Sequence, residues 1–141
     1  GPGNVKPGVV QEMGSTLDLL PTFASLAGAK APDDRAIDGY DLSDVLLNRG
    51  KSPRKGIFYF GGAQLSAVRS GNYKAQFREE NGINPKPLAK PELYHLGEDP
   101  SEKYDLAAKH PDIVGRLAKL GERLQASIKP VPDQLIPRIG K

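Results

Sequence analysis

No cysteine occurs among the 141 residues, which excludes disulfides, thiolate nucleophiles and cysteine-rich zinc sites together. Histidine is nearly as scarce. With only His95 and His110, a dedicated zinc site would need carboxylates as its remaining ligands, and no spacing in the chain suggests them. No Gly-x-Ser-x-Gly elbow is present to expose a serine nucleophile. No apolar run approaches the roughly 18 residues of a membrane span, and no basic-then-apolar leader opens the chain; if the protein is exported, its signal lies upstream. A strong charge of either sign is missing too, since 20 Lys and Arg against 17 Asp and Glu leave only +3. Lys51, Arg54, Lys55, Arg69, Lys74, Arg78, Lys86 and Lys90 are scattered without interleaved aromatics, the pattern of a solvated surface and not of a nucleic-acid interface.

What is present fits one domain of ordinary size. The 16 glycines and 13 prolines make up about a fifth of the chain, short of the roughly 25–30% that marks a low-complexity chain. A hydrophobic fraction of 38% lies under the usual range of about 45–50%. These values predict a loop-rich globular fold with a modest core, suited to a subdomain.

GPGNVKPG at the start reads as a loop, and Val9 and Val10 as a short strand without a partner. A helix is expected around Pro21, led in by a tight turn over 16–20, with Leu20, Phe23, Ala24, Leu26 and Ala27 as its apolar face and Gly28 as its stop. After an irregular stretch over 29–40, a short helix resumes at Ser43, capped by Asp41 or Ser43 and ending near Gly50. Ile57 to Phe60, Leu65 to Arg69, Tyr73 to Phe77 and Glu92 to Leu96 read as four strands, the middle two joined by a tight turn at Ser70, Gly71 and Asn72. A Pro-rich loop spans Asn81 to Pro91. In GEDPSE, Asp99, Pro100 and Glu102 suggest a capping box. Pro111 opens the longest helix, whose stripe of Ile113, Val114, Leu117, Leu120, Leu124 and Ile128 must cover one sheet face. The class predicted is α+β: a small four-stranded antiparallel sheet packed against a long C-terminal helix, preceded by an N-terminal segment of helix and loop. Residues 1–50 are read as a junction, 51–129 as the sheet-and-helix subdomain and 130–141 as a Pro-rich tail.

Asp33, Asp34, Asp38, Asp41 and Asp44 form the densest carboxylate cluster. Their spacing does not follow the alternate positions and sixth-place glycine of a calcium-binding EF-hand loop, so turn and cap roles are expected and no metal site. Gly61 and Gly62 lack the spacing of a phosphate cradle and read as an inter-strand turn.

STLDLLPTFASLAGAKAPDDRAIDGYDL, from Ser15 to Leu42, resembles the junction into the C-terminal subdomain of the sulfatase family. ELYHLGEDPSEKYDLA, from Glu92 to Ala107, is similar to the family's Leu-Tyr-x-Leu-x-x-Asp-Pro-x-Glu signature. LSAVRSGNYKAQF, from Leu65 to Phe77, looks like the arylsulfatase A-like form of the hairpin between them. The resemblance runs from Pro2 to about Leu124 and implies the C-terminal part of the alkaline-phosphatase-like superfamily fold. It also implies a parent enzyme that hydrolyses sulfuric esters through a formylglycine and a divalent cation, usually calcium. The formylglycine is made within Cys/Ser-x-Pro-x-Arg, which no serine here satisfies. No catalytic residue, metal ligand or cofactor is therefore expected in this chain, which is predicted inactive alone.

In the arylsulfatase A-like type the loop after the hairpin offers a histidine to the active site. REENGINPKPLAK has none, leaving Arg78, Asn81 and Lys86 as candidate anion partners in the substrate loop. The implied partners are an upstream catalytic domain and, through the parent, a sulfate ester, with a periplasmic, secreted or lysosome-like location. A rival reading is a stand-alone binding or assembly module for sulfated or anionic ligands. Because one helix covers one face of a sheet, the other face is expected to be apolar and exposed, and the isolated chain to self-associate or to be only marginally stable.

Overall fold

The computed structural model describes residues 5, 7–80, 82 and 84–128; the predicted tail 130–141 and Asn81 lie outside them. The described chain divides into two compact units, Gly1–Ile57 with Arg69–Gly71 in one and Phe58–Val68 with Asn72–Lys141 in the other.

In the first unit, Ser15 and Asp18 cap each other. Ser15 Oγ accepts from the Leu17 amide at 3.3 Å, and Asp18 Oδ2 accepts from the Ser15 amide at 2.7 Å, satisfying donors that a helix start leaves open. A single 3-10 turn, Thr16–Asp18, runs directly into α1, Leu19–Leu26. The helix thus begins two residues before Pro21 and not at it; a missing N–H is equally harmless at any of the first positions, whose amides have no intrahelical acceptor. Gly28, at φ +74°, ends it, with Gly28 N donating to Ser25 O and Ala29 N to Ala24 O, the paired bonds of a left-handed helix stop.

The short helix α2, Ser43–Leu46, starts where expected, and Asp41 Oδ1 accepts from the Ser43 amide at 2.8 Å. Asn48, at φ 54°, turns the chain out of it. Val9 and Val10 lie outside any strand, 86% and 49% exposed. Nothing among the described residues pairs with them, and an unpaired strand has no ladder to hold it.

The second unit is built on the sheet. Strands β1 (Ile57–Gly61), β2 (Gln64–Ser70), β3 (Tyr73–Arg78) and β4 (Pro87–His95) lie in the order β1-β2-β3-β4. Gly71, at φ +59° with no positive φ at Asn72, gives the β2–β3 turn the hand that matches strand twist.

β4 begins five residues earlier than the sequence suggests, inside the predicted Pro-rich loop. It pairs antiparallel with β3 through Tyr73 with His95, Ala75 with Leu93 and Gln76 with Glu92, then through Arg78 with Pro87 after an irregularity at Gln76/Arg78. Prolines are tolerated because β4 is an edge strand. The Leu93 amide faces outward, to Asp105 Oδ1 at 2.9 Å, and its carbonyl accepts from the Leu106 amide at 2.7 Å. Pro91 lies in the stretch opposite the Gln76/Arg78 irregularity, where regular pairing with β3 is interrupted and its missing N–H costs the ladder nothing.

The core of this unit is Leu65, Val68, Ala75, Leu93 and Leu117, joined by Tyr73, Phe77, Ile113, Val114 and Leu120 among others. Leu117 belongs to α3, Pro111–Ser127, which Pro111 opens at a position requiring no donor. A Cβ on Gly121 would stand 2.6 Å from Leu65 Cδ2 and 3.1 Å from Val68 Cγ2, whereas one on Gly115 meets nothing within 4 Å. Alanine at exposed Gly115 is therefore expected to stabilise by about 0.5–1 kcal/mol through helix propensity. Alanine at Gly121 is expected to destabilise by about 1–3 kcal/mol through overpacking. Thermal melts of the two variants check this; a Gly121→Ala protein that also gains stability would refute the close-packing account.

Candidate functional site

The two faces of β3 differ by alternation. Tyr73, Ala75 and Phe77 enter the core under α3, which places Lys74 and Gln76 on the other face, joined there by Glu92 and Tyr94 from β4. That second face is not the apolar surface expected of it. Lys74, Gln76 and Ser66 are buried polar residues, and polar groups there need partners.

Lys74 finds them. Its Nζ lies 2.7 Å from Glu102 Oε2 and 3.3 Å from Glu80 Oε1, and 5.2 Å from the centre of the Tyr59 ring. Burial pushes its pKa down, but hydrogen bonds to Glu102 and Glu80 outweigh this and hold it above the usual lysine value. Glu102 reaches Lys74 from a backbone at φ 53°, a left-handed conformation that costs a non-glycine residue energy. It therefore does not close the predicted capping box. Asp99 Oδ2 instead accepts from the amides of Lys103 and Tyr104 at 2.7 and 2.8 Å.

Beside this pair opens a cleft of about 470 Å³ lined by Gln76, Glu80, Glu92, Tyr94 and Glu102, among others. A second recess of about 360 Å³ shares Gln76 and Glu80 and adds Lys74, Ser66 and Tyr59. Tyr94 donates its hydroxyl to Glu92 Oε2 at 2.8 Å. Burial first, then that bond and the surrounding carboxylates, push the Tyr94 pKa well up, so the phenol stays a donor. Gln76 donates its amide nitrogen to the Arg78 carbonyl at 2.6 Å, while among the described residues its Oε1 has no partner, nor has Ser66 Oγ.

The substrate-loop candidates stand close by in sequence without converging. Arg78 turns its guanidinium back onto its own loop, Nη1 donating to Pro85 O at 3.1 Å, and the Glu79 amide bonds Lys86 O at 3.0 Å. Lys86 is exposed, and Asn81 is outside the described residues. Buried Pro85 rests where a Cβ on Gly61 would come within 2.7 Å of its Cγ, so the glycine pair marks a close approach under the loop. His95 lies edge-on to Tyr73 at 4.8 Å, with His110 6.3 Å from the same ring. Among the described residues no cluster of three or more His, Asp or Glu could hold a metal ion. The alternation of Lys74 and Gln76 with Tyr73 and Ala75 is the sequence signal for this face. Their partners Glu80, Glu92 and Glu102 carry none.

The first unit holds a second feature. Asp18 and Arg54 are 1% and 7% exposed and form a two-pronged ion pair, with Arg54 Nε to Asp18 Oδ2 at 3.0 Å and Nη2 to Oδ1. Asp18 also accepts from the Tyr40 amide at 2.8 Å, and Arg54 donates to Asp38 O at 3.0 Å over the Tyr40 ring. Thr22 ties the same segment down, its Oγ1 accepting from Leu42 N at 2.9 Å. Gly39 of the IDGYDL motif is required by closeness, because a Cβ there would sit 2.1 Å from Leu17 O.

The helix therefore turns Asp18 and Thr22 inward, while Leu17, Leu19, Leu20, Phe23 and Leu26 are each 48–58% exposed. Leu19 and Phe23 line an apolar groove of about 370 Å³ with Leu42 and Leu46. This inverts the usual arrangement of a surface helix.

A four-stranded antiparallel sheet under one C-terminal helix is an α+β architecture that recurs in solved sulfatases. A Bacteroides thetaiotaomicron structure from work on the metabolism of multiple glycosaminoglycans superposes with a TM-score of 0.70 at 28% identity, covering 89% of this chain and 28% of that one. A sulfatase from Pseudoalteromonas shares the fold at a TM-score of 0.68 and 22% identity, over 83% of this chain and 26% of its own. The profile of the C-terminal region of aryl-sulfatase matches residues 52–138. Human arylsulfatase A is 36% identical over 95% of this chain and 31% of its own length, and mouse N-acetylgalactosamine-6-sulfatase 32% identical over 95% and 31%. The chain belongs to the sulfatase family and corresponds to its C-terminal region; it spans about a third of the length of these relatives. No described helix is long and apolar enough to cross a membrane.

Proposed function

We propose that this chain is the C-terminal region of an arylsulfatase-like sulfuric ester hydrolase. It supports an upstream catalytic region and, through the loop after β3, forms one wall of the substrate cleft. The observation that carries this is the inverted helix α1: polar residues hold the unit together from inside, and a continuous apolar surface faces out. Contiguous exposed apolar patches of this kind mark an interaction surface, and in this reading the catalytic region covers it. The formylglycine and its calcium belong to that region, as does an exported location of the parent. A free-standing module for sulfated ligands has less in its favour, because the cleft on the sheet is lined by Glu80, Glu92 and Glu102, which repel anions.

The test is reconstitution. Co-expression with the upstream region of the same coding sequence is expected to give a complex that co-purifies and hydrolyses an aryl sulfate. Leu20→Ser with Phe23→Ser, both exposed here, should reduce complex recovery at least about tenfold, as for loss of hot-spot apolar contacts. Turnover by the 141-residue chain alone, or a complex indifferent to the double change, would overturn the proposal.

A further inference from the structure

We propose that the open face of the sheet is a receptor for a guanidinium group, presented by an arginine of the catalytic region that this chain is proposed to support. The inference rests on that reading and specifies its chemistry. Glu80, Glu92 and Glu102 surround the two adjoining recesses, and Lys74 is the one cation among their described lining residues, so among these, three carboxylates stand against one ammonium. Gln76 supplies the second, independent indication. It is 4% exposed, lines both recesses, and its carbonyl Oε1, itself buried, has no partner among the described residues.

The amide orientation is set by chemistry, since a reversed Gln76 would place its oxygen 2.6 Å from the Arg78 carbonyl instead of a donor. The unmet requirement is therefore for N–H donors. Tyr94, donating to Glu92 Oε2, fixes that carboxylate without neutralising it. Several acceptors spread over two adjoining recesses suit the planar, five-donor guanidinium better than the point charge of an ammonium. An anion is disfavoured by the same charges, and a neutral polyol would supply donors but leave the charge.

The test uses the 141-residue chain, titrated with N-acetyl-arginine amide and with its neutral isostere, N-acetyl-citrulline amide, while the Gln76 side-chain amide and the Glu92 and Tyr94 backbone amides are followed by NMR. Saturable shifts at these positions with the arginine compound, and at least about tenfold weaker binding of the citrulline compound, are expected. Glu80→Gln with Glu92→Gln should weaken the arginine compound about tenfold while the far-UV circular dichroism spectrum, recorded well below the melt, shows the variant folded. Equal response to the two compounds, or shifts that bypass Gln76, overturns the proposal.

The reconstituted complex separates this from the supporting role. Binding at Gln76 without any complex would leave the guanidinium site standing and remove its assigned source. A complex unaffected by the two glutamine substitutions would keep the supporting role and remove the guanidinium.

Discussion

Arg54→Ala is expected to destabilise the unit that contains α1 by about 3–5 kcal/mol, the range for removing one partner of a buried ion pair. Alanine leaves Asp18, 1% exposed, as an uncompensated buried carboxylate, and also strips a donor from Asp38 O. Arg54→Lys keeps the charge but cannot span both carboxylate oxygens, so it should fall between parent and alanine.

The pH dependence follows from the same pair. Burial raises the Asp18 pKa, but the hydrogen bonds from Arg54 and from the Tyr40 and Ser15 amides more than offset it, and the net position is below the usual carboxylate value of 3.8. A group whose folded pKa is depressed contributes stability above its unfolded pKa and loses it as pH falls through the folded one. The parent should thus weaken below about pH 4, and the Arg54→Ala protein should lose that share of the acid sensitivity. Denaturant melts at pH 7 and pH 3 measure both; an alanine variant within about 1 kcal/mol of the parent at pH 7 would refute the assignment.

The second large effect belongs to the helix. Leu117 is fully buried against Leu65, Val68, Ala75 and Leu93, and truncating such a leucine costs about 2–5 kcal/mol. The 17 residues of α3 are close to the roughly 12–15 below which an isolated helix is marginal in water, so its order depends on this packing. Leu117→Ala should lower the melting temperature and the helical circular dichroism together. Leu124, on the same apparent stripe but only partly buried, should cost at most about 1 kcal/mol. Equal losses at the two positions would show that the stripe as a whole carries the packing, and not its buried centre.

The stripe shows how far the sequence could be read. Pro111, the three-and-four spacing of apolar residues, and the Ser70-Gly71-Asn72 turn are local signals, and the helix and hairpin stand where those signals put them. The start of β4 was hidden because Pro85, Pro87 and Pro91 read as loop residues unless the strand is known to be an edge, which only the sheet order reveals. Asp18 falls inside the turn expected over 16–20 with no signal of its own. Its partner Arg54 is 36 positions away, and nothing in either neighbourhood announces the pair. Periodicity groups Leu20 with Phe23 on one apolar face, but it cannot say whether that face meets this chain or another. The candidate site was least legible. Arg78 and Lys86 stood out as charges in a loop, whereas the polar face depends on Gln76 and on carboxylates contributed from separate segments.

The sealed outer edge of β4 bears on how copies of this chain can associate. With Asp105 and Leu106 occupying the backbone groups of Leu93, strand addition is blocked at that residue. Two chains meeting β1 to β1 would then carry, at each end of the joint sheet, a strand whose Leu93 backbone is already occupied, which disfavours further strand addition at that point.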